Sequence, residues 1–460
     1  MNSTTKQPRR VLSVLVTGLA LALSWGQATA QHDIRGIEGS TFNLYAFPFN
    51  MNLPDGTSLH MWGFGDQDAG NGATHPAGNG YDLPQYPAPT LIVTEGADVT
   101  INLTNFGIPQ PVSIVVTGHD VTATCVSMTG GCTDGLVTTA SSDSSEQVTY
   151  TFKAPEPGTY LYHSLDGANP GLHVEMGLVG ALIVRPADGS RSAYGTGTET
   201  DYDQEYLYLL TDVDPDIHIQ VERGHITHFT NSDRFAKIWF VNGRVFPDLF
   251  QGNYNSLFPH QPYESLSQAH PGDKVLVRTV NAGHDSHPFH YHGENLRFVA
   301  RDGRKLSSDG VVADLGRSDN TINSAPKQAV DALWSWTGAK LNWDIYGHDT
   351  AHVCIDGDGD GFGDEADGST YEHEYCPDHR KPIPVTLPGA QDLALGGWWS
   401  GSPFLGDTGD LPPGEGGLNP FGGYFLVWHS HAEKELTTFN IFPGGSLSAV
   451  VVAPPYVPIN

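Results

Sequence analysis

Positive charge is scarce in this chain. Lys and Arg together number 23 against 52 Asp and Glu, a formal net charge of −29 over 460 residues. So acidic a surface repels phosphate backbones and anionic headgroups, which excludes nucleic acid and anionic lipid as partners. Long apolar runs are missing beyond the first 30 residues, so nothing there reads as a membrane span. Cysteine is rare: Cys125, Cys132, Cys354 and Cys376 fall as two local pairs. In an exported protein such pairs read as two disulfides.

Export is what the N-terminus suggests. Lys6, Arg9 and Arg10 precede an apolar run, Val11–Trp25, and Ala28-Thr29-Ala30 fits a small-residue cleavage site. Residues 1–30 therefore read as a signal peptide, and the protein as secreted or periplasmic. The Arg9-Arg10 pair leaves both the general secretory and the twin-arginine route open. Cleavage removes three basic residues and no acidic one, so the remaining chain is still more acidic.

Turn formers are abundant, with 54 Gly and 32 Pro. Short Val/Ile/Thr/Tyr/Phe runs recur between them every 8–12 positions. This pattern predicts an all-β protein, a β-sandwich or barrel and not a helix bundle. Strands are expected around 41–47, 58–64, 89–93, 98–104, 112–117, 148–152, 159–163 and 178–184, which closes a first unit at 31–186. Residues 187–204 are polar and read as a linker. A second unit, 205–460, has strands at 205–211, 238–242, 274–280, 296–300, 424–431 and 447–452, interrupted by a long loop-rich insertion at 301–420.

Histidines mark the second unit. His287-Pro288-Phe289-His290-Tyr291-His292-Gly293 places three imidazoles within six residues. Alternate side chains of a strand share a face, so His290 and His292 point the same way, as do His429 and His431 in His429-Ser430-His431. The first heptapeptide resembles the H-P-x-H-x-H-G motif of multicopper oxidases, and Trp428-His429-Ser430-His431 is similar to their H-C-H motif. Gly158–Ser164 and Gly177–Val184 resemble the G-T-Y-x-Y-H-S-H and G-L-x-G-A-L-I-V elements of the family's first domain, and Pro89–Asn105 its entry strands.

This resemblance implies two cupredoxin-like Greek-key β-sandwich domains and bound copper. The matching ligand positions are His163, His287, His290, His292, His429 and His431. In two-domain members the copper cluster forms between subunits, so a homotrimer follows by analogy, with His163 meeting His290 and His429 of a neighbouring chain.

The departures are equally specific. Val115 and Thr117 stand at two cluster-ligand positions, Leu165 replaces the second His of H-S-H, and Ser430 replaces the Cys of H-C-H. Glu435 or a near neighbour stands where a later type 1 His would be. A type 1 copper site needs a thiolate beside two imidazoles, and all four cysteines lie elsewhere. An ordinary type 1 site, and the electron route that starts there, are therefore not expected. His119 and His173 are candidates to replace missing ligands; His163-Ser164 … His173 resembles the "H-C … H" arrangement of copper nitrite reductases, again with Ser for Cys.

The insertion carries a second metal signal. Asp356, Asp358, Asp360, Phe362 (through its carbonyl), Asp364 and Asp367 have the spacing of an EF-hand-type loop, with Gly361 at the sixth position. This implies structural calcium, in a loop bracketed by Cys354 and Cys376. A rival reading takes His348, His352, Cys354, His373, Cys376 and His379 as a zinc site. Five tryptophans in the insertion (Trp334, Trp336, Trp343, Trp398, Trp399) read as packing. The functional expectation is copper-dependent oxidation of a small reductant or metal ion with O2. The alternative is a non-enzymatic role in copper binding, sequestration or assembly.

Overall fold

The structure is a computed structural model that describes residues 31–69, 82–128, 133–134, 138–165, 171–225, 231–349, 351–382, 401–403 and 422–459. The signal at 1–30, Cys132, Trp398 and Trp399 lie outside the described residues.

The chain folds as two sandwiches in succession. The first pairs two five-stranded sheets. One runs Ile37–Glu38, Leu91–Thr94, Val179–Arg185, Gly158–His163, Val115–Val116; the other runs Ser58–Asp66, Thr41–Asn52, Asp98–Asn105, Glu146–Lys153, Thr122–Ser127. Alternation along Asp98–Asn105 and Glu146–Lys153 sends Val99, Ile101, Leu103, Val148, Tyr150 and Phe152 into the core between them.

The second sandwich repeats the plan. One sheet centres on Gln204–Val213, Val275–Asn281, Ala329–Trp334 and Leu296–Arg301. The facing sheet runs Leu266–Ala269, Leu447–Val452, Tyr424–Ser430, His287–Tyr291, Thr321–Ser324. The fold class expected from the turn spacing is therefore what forms. Among the described residues, no helix is long and apolar enough to cross a membrane.

Two expectations need correction. Residues 301–420 are not simply a loop-rich insertion. Ala329–Trp334 lies inside a sheet, hydrogen-bonded to Val275–Asn281 on one side and Leu296–Arg301 on the other. Asp331 interrupts its short apolar run, which hid the strand beside the tryptophans. Residues 187–204 are not a flexible linker. Ala193, Tyr194 and Tyr202 are buried, and the hydroxyls of Ser192, Thr198 and Thr200 satisfy one another. Polar composition misled because these side chains bond locally instead of to water. The first sandwich also holds a six-residue strand, Thr122–Ser127, at a sheet edge.

Polar and apolar contacts join the sandwiches. Phe49, Leu161 and Val174 of the first pack in one cluster with Leu209, Phe240 and Val280 of the second. Beside it Thr159 donates to Asp331 (2.6 Å), as does Tyr194 (2.6 Å), and Arg278 spans Glu205 and Asp331. Arg185 forks onto Glu205 through two 2.5 Å bonds. The guanidinium–carboxylate geometry satisfies charges that burial would otherwise penalise.

Candidate metal centre

His287–Tyr291 pairs antiparallel with Tyr424–Ser430, His290 standing opposite His429. Period-two alternation then divides the two strands cleanly. Phe289, Tyr291 and Trp428 face the core and pack on Tyr208. His290, His292, His429 and His431 share the other face. Gly293 turns the chain just after His292 at φ 100°, pressed against Leu426 so closely that a Cβ would lie 2.5 Å from its Cδ1.

The four imidazoles converge. His290 is at the centre, with ring centroids 4.7 Å from His292, 5.6 Å from His429 and 5.0 Å from His431. His292 Nε2 lies 3.1 Å from His429 Nε2. His290 and His292 are buried, His429 is half-buried and His431 is exposed, so the cluster opens to solvent on the His431 side.

Ring orientation is fixed from behind. His290 Nδ1 bonds Thr321 Oγ1 at 2.9 Å, and His429 Nδ1 donates to the Ser430 carbonyl at 2.7 Å. His290 Nε2 is buried with no hydrogen-bond partner. A buried ring nitrogen left in this state among other imidazoles fits a metal ligand, because a cation supplies the partner that the protein does not. Burial, then the neighbouring His292, His429 and His431, push the His290 imidazole down to about 3. The His429 ring is lowered as well, chiefly by burial. Neutral imidazole is the form that binds a metal.

His287 is not part of this cluster. It lies on the core-facing side of its strand with Ser430 and makes two contacts to carboxylates. Nε2 is 3.1 Å from Asp212 Oδ1, and Nδ1 is 3.0 Å from Glu435 Oε2. With both nitrogens facing carboxylates the ring is an imidazolium. Burial opposes that charge, but the two hydrogen-bonded carboxylates outweigh it and raise the group to about 10. Asp212 is held well below the usual carboxylate range: burial works against this, while His287 and Arg234 overcome it. Arg234 reaches on to Glu175 at 2.6 Å. His287, Asp212, Glu435, Arg234 and Glu175 thus form one ion network on the core-facing side of the strand. Glu435 was in view from the sequence; Asp212, Glu175 and Arg234 were not, and no local pattern around them signals this role.

The candidate histidines of the first sandwich have partners of their own. His163 is buried, its Nδ1 against the Ser164 carbonyl at 3.2 Å, and burial followed by the charge of Lys327 lowers it to about 4. His173 is engaged by Ser164 Oγ at 2.7 Å and Gln110 Oε1 at 3.1 Å. His119 bonds the Thr117 carbonyl and packs on Phe152 and Tyr160.

Residues 80–189 match the family model described as multicopper oxidase. The resemblance to multicopper oxidases holds. Two solved structures share the fold over most of their length. The blue copper oxidase from Nitrosomonas europaea is 18% identical, with TM-score 0.50, over 89% of this chain and 85% of that one. The multicopper oxidase mgLAC is 18% identical, with TM-score 0.51, over 91% and 87%. No curated protein matches the sequence. The multicopper-oxidase match falls on the first sandwich, whereas the imidazole cluster lies in the second, beyond residue 189.

In the insertion, Cys354 and Cys376 are joined by a disulfide, Cα–Cα 5.4 Å, which removes both thiols from the zinc reading. Asp356, Asp358 and Asp364 converge in the acidic loop, Asp367 lies against Gly357, and Asp360 accepts from the Phe362 N–H. Trp334, Trp336 and Trp343 are core residues, as expected of packing tryptophans.

Proposed function

We propose that this is an exported, copper-binding, multicopper-oxidase-like protein in which His290, His292, His429 and His431 hold the metal. The observation that carries the reading is His290 Nε2, a buried ring nitrogen with no partner at the centre of three other imidazoles. Copper held there would supply one-electron redox chemistry toward a small reductant or metal ion, with O2 as acceptor. Thr321 and the Ser430 carbonyl orient His290 and His429, burial keeps those two rings neutral, and the exposed His431 side admits small molecules. Reducing equivalents would enter directly at this face, because Ser430 offers no thiolate. The acidic loop would take structural calcium through Asp356, Asp358 and Asp364.

The His287–Asp212–Glu435 network favours a second reading, copper binding without turnover, because it fills the place of the electron-entry site with fixed charge. Copper content by elemental analysis, joined to oxygen consumption with a panel of phenolic, diamine and metal-ion reductants, separates the two. Bound copper with turnover supports the oxidase, bound copper without turnover supports sequestration, and metal-free protein after copper-rich loading overturns both.

A further inference from the structure

The insertion holds a second constellation of metal-ligating groups. Asp344, His352, Glu374 and His379 each offer one ligand atom, and these atoms all lie within 4.8 Å of one another. His352 Nε2 stands 3.2 Å from Glu374 Oε1 and 3.4 Å from Asp344 Oδ2. His379 Nδ1 lies 2.5 Å from the same Glu374 oxygen. Asp344, His352 and Glu374 are buried and His379 is half-buried.

The chain is built to hold them there. The disulfide joins Cys354 to Cys376, and His352 and Glu374 each lie two residues before one of its cysteines. The Gly363 N–H donates to the Glu374 carbonyl, and the Thr370 N–H to the Val353 carbonyl, which locks both arms of the loop. Asp344 is fixed by the N–H groups of Tyr346 and Arg380, each at 2.8 Å. A small cavity opens onto Asp344, Glu374 and His379.

Charge points to an occupant. Two buried carboxylates face each other across imidazoles, and the nearby Lys381 is spent on Asp378 and Asn342. The second oxygen of Glu374, Oε2, is buried with no hydrogen-bond partner. Buried anionic oxygens in this state call for a cation. Nitrogen ligands argue against calcium, which takes oxygen donors. Two imidazoles with two carboxylates, closed by four protein ligands, suit a structural site for zinc-class ions.

We propose that Asp344, His352, Glu374 and His379 form a binding site for a zinc-class divalent cation that ties the disulfide-bonded loop to the second sandwich. The site is separate from the four-imidazole cluster and does not depend on what that cluster binds.

The test uses the full chain carrying His290→Ala and His429→Ala, so that the cluster cannot take up the added ion. After chelator stripping it is dialysed against Zn2+ and analysed for metal, then repeated with Co2+ and followed by visible absorption. One Zn2+ retained per chain, lost on adding His352→Gln and Glu374→Gln, together with the intense bands of four-coordinate Co2+, is the expected result. Zinc retention unchanged by those two substitutions overturns the proposal. Should the four-fold variant fail to fold, the cobalt spectrum of the parent decides: only the weak bands of six-coordinate Co2+ would sink the site.

Discussion

His287 sits between Asp212 and Glu435, with Nε2 3.1 Å from the first carboxylate and Nδ1 3.0 Å from the second. One imidazolium between two buried carboxylates is a structural element in its own right, and its stability contribution has a definite sign. The folded-state value near 10 lies above the ordinary 6.5. A raised cation stabilises fully below 6.5 and ceases to do so as pH rises through about 10. Thermal unfolding followed from pH 6 to pH 10.5 should show a falling midpoint, and His287→Leu should flatten that fall. The substitution strips buried Glu435 of its ion-pair partner and leaves Asp212 to Arg234 alone, at a cost of about 3–5 kcal/mol. An unchanged pH profile in the variant would refute the assignment.

Ser430 shares the core-facing side of the strands with His287 and is fully buried. Copper-loaded protein should therefore lack an intense copper–thiolate charge-transfer band. Ser430→Cys alone should not create one, because Asp212 and Glu435 hold both nitrogens of His287. Absorption spectra of the two proteins at matched copper loading settle this. A strong visible band in the unsubstituted protein would mean that a cysteine reaches the metal.

The buried pair of arginines between the sandwiches predicts acid behaviour. Burial would raise Glu205, but Arg185 and Arg278 overcome it and lower the carboxyl from 4.5 to about 2. A depressed carboxylate stabilises above its unfolded value and loses that contribution as pH falls through its folded one. Cohesion should hold near neutrality and fail between about 4.5 and about 2, monitored by tryptophan fluorescence. Arg278→Ala should cost about 3–5 kcal/mol at pH 7, since it strips a partner from both Glu205 and Asp331. A smaller cost than about 1 kcal/mol would mean that the bridge is solvated.

Much of this was legible from residue pattern because the pattern is local. Alternation along Asp98–Asn105 gave its strand to within one residue, and the spacing of His290 with His292 placed both on one face. Contacts that depend on distant chain were not legible. Asp212 reaches His287 across 75 residues of sequence. Glu374 and Asp344 gain their meaning only once the loop folds back through Cys354–Cys376. The first-sandwich histidines misled in the opposite sense. His173 and His119 lie near plausible ligand positions in sequence, yet each finds hydrogen-bond partners or aromatic packing close at hand. Polar residues at 187–204 bond among themselves, so composition suggested solvent where there is core.

The ring orientation at the four-imidazole face yields the last prediction. Thr321 Oγ1 is the group that fixes His290 Nδ1, at 2.9 Å, and it stands on the neighbouring strand directly opposite His290. Valine keeps the shape of threonine and puts a methyl group in place of the hydroxyl. Groups that orient a ligating histidine in this way are worth roughly 10–100-fold in metal affinity. Thr321→Val should therefore weaken copper binding by that factor in competition with a chromophoric chelator, while thermal stability of the metal-free protein changes little. His290→Ala should remove the high-affinity copper altogether. Equal copper affinity in Thr321→Val and the unsubstituted chain would mean that this hydroxyl does not orient a ligating ring, and undiminished copper binding in His290→Ala would remove the main support for the four-imidazole centre.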